Sequence, residues 1–213
     1  MNTLHRSVAL LVFTIIGLGG CAHEGSSVSD PHPVTVADLQ AVLRDEWSRH
    51  VFWIRHVVMD NAKGDRRSRD FAEKAVAANA RDMAKTLASF YGDATAGRFR
   101  TLLTKHDDMI QAYSDATVAG DKRRQGAAIA TGASIADEIA NLLSQINPHL
   151  PKDTVRSLFA TNIGHHVVQI NKFQDKDYQG EDETWTAMEH HVYVIADTLT
   201  NAIAKQFPAK FGS

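Results

Sequence analysis

Residues 36–59 read VADLQAVLRDEWSRHVFWIRHVVM. Leu39, Leu43, Trp47, His50, Ile54 and Val57 recur at steps of three and four, the spacing that gathers side chains on one side of an α-helix. The period-two alternation of a half-buried strand is absent. A first helix is therefore predicted from Val36 to Met59, ending before Asn61-Ala62-Lys63-Gly64-Asp65.

The same periodicity continues down the chain. A second helix is predicted from Ser68 to Tyr91, with Phe71, Ala75, Ala78, Asp82, Met83, Leu87 and Phe90 on or near its inner side, stopped by Gly92. A third runs from Thr95 to Ala119 on Phe99, Leu102, Leu103, His106, Met109, Ile110 and Tyr113, and Gly120 ends it. The fourth spans Lys122 to Ile146 on Ile135, Ile139, Leu142 and Ile146, before Asn147-Pro148, where proline disfavours helical geometry in the residue ahead of it. A fifth follows Pro151 on Val155, Leu158, Phe159, Val167, Ile170 and Phe173 and ends before Gly180. A sixth opens on Glu181-Asp182-Glu183, charges that suit a helix N-terminus, and reaches Lys205. Connections of roughly four to eight residues make neighbouring helices antiparallel. The expected fold is an all-α, antiparallel, up-and-down bundle of about six helices.

Ahead of this domain the chain has a different character. Arg6, an apolar run from Val8 to Ile16 and then Leu18-Gly19-Gly20-Cys21 have the layout of a secretory leader, and the run is too short to remain as a membrane span. Leu-Gly-Gly-Cys resembles a lipobox. That resemblance implies a signal peptide over residues 1–20, a diacylglyceryl group on Cys21 and attachment to a cell-envelope membrane. Ala22 in place of aspartate after the cysteine implies the outer membrane, facing the periplasm. Cys21 is the single cysteine, so a disulfide within the chain is impossible. Residues 22–34, AHEGSSVSDPHPV, form a small, polar tether, and the bundle domain is expected over 35–213. With 23 basic and 25 acidic residues interspersed along the chain, nothing favours nucleic acid as a partner.

Chemistry is most visible where polar residues interrupt the apolar stripes. His50 does so in the first helix, with Glu46 one turn before it, and His106 in the third. His165-His166 fall in the fifth, and Glu189-His190-His191 in the sixth. Asn79 and Asp82 in the second helix, and Asp137 and Glu138 in the fourth, stand at similar height. All lie near the middles of their helices, and midpoints of antiparallel helices meet at one level. Imidazoles and carboxylates there have the donor types used for zinc, copper, iron or manganese, so His50, His106, His165, His166, His190, His191, Glu46, Asp137 and Glu189 are the candidate ligands. Only one of each adjacent histidine pair can face inward, because neighbours differ by about 100° around a helix.

Two other readings stand beside this one. The layer can be a buried hydrogen-bonded network that sets helix register without a ligand, in a structural or interaction protein. It can also be catalytic. Neither Glu46…His50 nor Glu189-His190 has the Glu-x-x-His spacing of di-iron bundles, and the motifs of zinc proteases, nucleotide-binding loops and serine hydrolases are missing. Trp47 and Trp53 read as core. The methionines Met59, Met83, Met109 and Met188 are scattered on separate helices, and His23 and His32 in the tether read as solvated.

Trp47-x-x-His50-x-x-Trp53-x-Arg55, Leu102-Leu103-x-x-His106, Ala136-Asp137-x-Ile139-Ala140, Asn147-Pro148, Ala196-Asp197-x-Leu199 and Gln206-Phe207-Pro208 occur in that order. Together they resemble a family of small bacterial helical-bundle proteins without an established activity. The resemblance covers most of residues 45–208. It singles out His50, His106, Asp137 and Asp197 and implies the helical fold, but supplies no mechanism.

Overall fold

Four of the five helices among the described residues begin where a side chain accepts a free N–H of the first turn, and the remaining one follows Pro151 without such a cap. The computed structural model describes residues 35–212; the expected leader, Cys21 and the tether lie outside the described residues. Among these residues the chain forms five α-helices and a terminal 3₁₀ turn: α1 (Val36–Lys63), α2 (Arg66–Val118), α3 (Lys122–Ile146), α4 (Lys152–Gln174), α5 (Tyr178–Gln206) and Pro208–Lys210. Thr35 and Asp38 cap α1 reciprocally, and Asp65, Asp121 and Asp177 each accept a backbone N–H at the start of α2, α3 and α5. Gly64, with φ of +73°, closes α1 in the left-handed conformation that glycine adopts without strain.

The expected second and third helices are the two limbs of α2, separated at the expected position by Gly92, whose backbone is not helical. Its φ of +79° and ψ of 165° belong to a region open essentially to glycine alone. The bend reverses the chain. In a straight helix Arg69 and Asp115 would stand about 70 Å apart, yet they form an ion pair of 2.7 Å. Two antiparallel limbs therefore take the places expected for two separate helices. At the other end the sequence reading shifts: α4 stops at Gln174, and Gly180 lies inside α5, which opens at Tyr178.

Neighbours in sequence are neighbours in space. α1 packs on α2, α2 on α3, α3 on α4 and α4 on α5, while α5 returns to α1 and closes the bundle. α4 also reaches α1 and α2 across the interior. The core is filled by Trp47, Leu103, Ile110, Ile139, Leu142, Leu143, Phe159, Met188 and Ile195. In the first limb of α2 the buried side is Ala72, Val76, Asn79, Ala80, Met83 and Leu87. Phe71, expected on the inner stripe, is exposed and meets Trp53 at a ring-centre distance of 5.8 Å. Trp53 is accordingly at the edge of the core and not within it. No helix among the described residues is long and apolar enough to cross a membrane.

Candidate metal centre

Three imidazoles from three parts of the fold meet in the interior. His50 comes from the middle of α1, His106 from the second limb of α2, and His166 from the middle of α4; none is more than 1% exposed. The ring centre of His106 lies 6.1 Å from that of His50 and 5.8 Å from that of His166. Trp47 packs its edge on both His50 and Phe159, so the cluster is walled by aromatic surface. Asp107 joins it through proximity to His50, with Oδ1 3.3 Å from His50 Nε2. Ligand atoms of His50, His106 and Asp107 all fall within 4.8 Å of one another.

The hydrogen bonds around His50 fix which nitrogen carries its proton. The Asn79 amide nitrogen donates to the Glu46 backbone carbonyl at 3.0 Å, which turns the Asn79 oxygen toward His50. An oxygen can only accept, so in the neutral ring Nδ1–H of His50 is the donor in the 3.1 Å contact with it. That leaves the lone pair of Nε2 facing the Asp107 carboxyl. Although 3.3 Å apart, Nε2 and Oδ1 are not aligned for a hydrogen bond, and both lack any other partner.

Electrostatics act in the same direction. Burial, reinforced by the nearby His50, pushes His106 down to about 3. His166 is held well below the usual range by burial and then by His106, His50 and His165. Burial raises the Asp107 carboxyl, an effect that His50 opposes. The imidazoles of His106 and His166 are thus neutral at physiological pH, the form that coordinates a metal. Both nitrogens of His106 and of His166 lack hydrogen-bond partners, as do both amide atoms of Asn162 and Oε1 of Gln169 on α4. Buried polar groups normally find partners, so this concentration of unpartnered donors and acceptors marks a polar pocket in the core that can take an ion or water.

The other expected ligands are elsewhere. Asp137 is exposed and lies 3.7 Å from Arg156. Glu189 and His190 point outward on α5. Glu46 is buried, but its Oε1 accepts from Thr86 at 2.6 Å and it faces a cleft bounded by Leu39, Val42 and Phe90. His165 and His191 are half-buried and pair with each other, their ring centres 5.3 Å apart; burial and His191 lower His165. Asp197, marked by the family resemblance, forms a two-pronged clamp with Arg44 and also accepts from Gln40, tying α5 to α1.

Asp107, Asn162 and Gln169 were not among the sequence candidates. Asn162, His166 and Gln169 follow one another at steps of four and three along α4, a polar ladder on an otherwise apolar side, and that spacing is the signal that would have found them. Asp107 has only its position next to His106 to mark it. The chain matches no protein-family model, no curated protein and no solved structure.

Proposed function

We propose that this protein is a metal-binding helical bundle, in which His50 Nε2, a ring nitrogen of His106 and a carboxylate oxygen of Asp107 ligate one divalent transition ion. The observation that carries the reading is the 3.3 Å approach of His50 Nε2 to Asp107 Oδ1 without hydrogen-bond alignment. Two donors each about 2.0–2.1 Å from a tetrahedral ion stand about 3.3–3.4 Å apart and point at the ion, not at each other. Without an ion or a shared proton between them, a lone pair and a carboxylate oxygen at that range repel. The Asn79 contact supports the reading further, because ligating histidines usually donate their second nitrogen to a fixed acceptor.

A donor set of imidazoles with one carboxylate belongs to zinc, iron, copper and manganese and not to calcium or magnesium. Burial of every donor favours holding or carrying the ion over turning over a large substrate. In the competing reading, a structural polar network, these unpartnered atoms are satisfied by buried water instead of by an ion. Elemental analysis of the purified protein tests this. About one equivalent of a single transition metal is expected, and loss of that metal in both His50→Ala and His106→Ala. Metal-free protein, or metal retained in both variants, overturns the proposal.

The same reading places the bundle at an envelope membrane, held by a lipid on Cys21. Its support is the run from Arg6 through Val8–Ile16 to Leu18-Gly19-Gly20-Cys21. Cys21→Ala is expected to move the protein from the membrane pellet to the soluble fraction and to abolish incorporation of labelled fatty acid. Unchanged labelling removes the anchor from the account.

A further inference from the structure

The half-buried pair His165 on α4 and His191 on α5 lies outside the buried cluster but one residue from it, since His165 precedes His166. The rings face each other at 5.3 Å between centres with a tilt of 54°. Two imidazoles bound about 2.0–2.1 Å from one ion, at tetrahedral to trigonal angles, have ring centres about 5 Å apart. The pair already has that spacing.

His191 carries a second mark of a ligand. Its Nε2 lies 2.9 Å from the backbone carbonyl of Leu158, and a carbonyl only accepts, so Nε2 holds the proton. The lone pair is then on Nδ1, and the tautomer is locked by a backbone group that cannot rotate away. Gly164 beside His165 leaves open space where a side chain would stand, and a shallow surface pocket lined by His165, Gly164, Lys172 and Glu183 gives solvent access to His165, though His191 does not line it.

We infer that His165 and His191 form a second site for a divalent transition ion at the protein surface, weaker than the buried centre and serving as its loading port. Two ligands and solvent complete its coordination, so the ion exchanges readily. From it a string of imidazoles leads inward, from His165 to its neighbour His166, then to His106 at 5.8 Å and His50 at 6.1 Å between ring centres. The binding at the pair stands on its own geometry; the loading role rests on the buried-centre reading.

Copper(II) titration of the metal-free, purified full chain tests both parts, with calorimetry for affinity and electron paramagnetic resonance for nitrogen ligation. Wild type is expected to take up one tight and one weaker equivalent. His165→Ala/His191→Ala should weaken the second by at least about tenfold, and His190→Ala, on the exposed neighbour, should leave it unchanged. A weaker equivalent that survives the double substitution, or that is equally lost in His190→Ala, overturns the site. His50→Ala/His106→Ala keeps the weaker equivalent if it folds; if it does not, the comparison of wild type with the surface double variant decides alone. Should the tight equivalent be missing while the weaker one responds as described, the buried-centre reading fails and the surface site stands. With one equivalent of copper, the surface double variant should fill the tight site to the wild-type extent but more slowly, and an unchanged filling rate overturns the loading role.

Discussion

Stripping the metal from the wild-type protein lowers its melting temperature by roughly 8–16 °C, while the same treatment of His50→Ala/His106→Ala leaves the melt unmoved. The size follows from mass action. A ligand that binds only the folded state, present at a thousand times its Kd, stabilises by about 4 kcal/mol, and a domain of 150–250 residues shifts by about 2–4 °C per kcal/mol. The donors converge only in the fold, because His50, His106 and Asp107 come from α1 and the far limb of α2, so the unfolded chain offers no comparable site. Re-adding the ion should restore the transition. Thermal melts before and after dialysis against a chelator measure it, and a wild-type transition indifferent to chelation and to added zinc, copper, iron and manganese sinks the buried centre.

How much of this was legible in the sequence depends on what each residue had to reveal. Periodicity gave the helical architecture, because Leu39, Leu43, Trp47 and their counterparts mark buried sides without reference to any partner. His50 and His106 were visible for the same reason, as basic groups set into apolar stripes. Asp107 was not, since an acidic residue beside a histidine reads as a solvated flank, and only the packing of α1 on the second limb of α2 brings it to His50. Phe71 misled in the opposite sense: aromatic character suggested core, but in an alanine-rich limb Ala72, Val76 and Ala80 permit close helix approach and leave the ring outside. Asp137, Glu189 and His190 show the limit of arguing from height alone. Being level with the centre does not fix rotation about the helix axis, and α5 turns Met188 and Val192 inward instead.

Replacing His106 with leucine reverses the order of stability between metal-free and metal-loaded protein, and this crossing separates a ligand from a structural histidine. In the metal-free state at neutral pH, the variant exchanges a buried imidazole with two unpartnered nitrogens for an apolar side chain of similar size. Removing such a group together with its polar demand is nearly neutral or stabilising, so His106→Leu should melt no lower than wild type. Acid widens the gap. His106 titrates near 3 when folded and near 6.5 when unfolded, so at lower pH the unfolded chain gains a proton that the folded protein refuses. Its contribution therefore favours the fold above about pH 6.5 and is lost steadily as the pH drops, by about 2 kcal/mol at pH 5. His166 acts in the same sense, while Asp107 and Glu46, raised by burial, act in the other. The total pH curve mixes these effects, but the difference between wild type and His106→Leu isolates the one histidine to the extent that its neighbours are unchanged. Denaturant melts of both metal-free proteins at pH 7 and pH 5 are expected to show the variant gaining about 2 kcal/mol on wild type over that interval. Adding the ion at pH 7 should then lift wild type above the variant, which has lost a donor. A variant that is several kcal/mol less stable without metal would mean that His106 holds the core through contacts of its own and does not serve as a ligand in waiting.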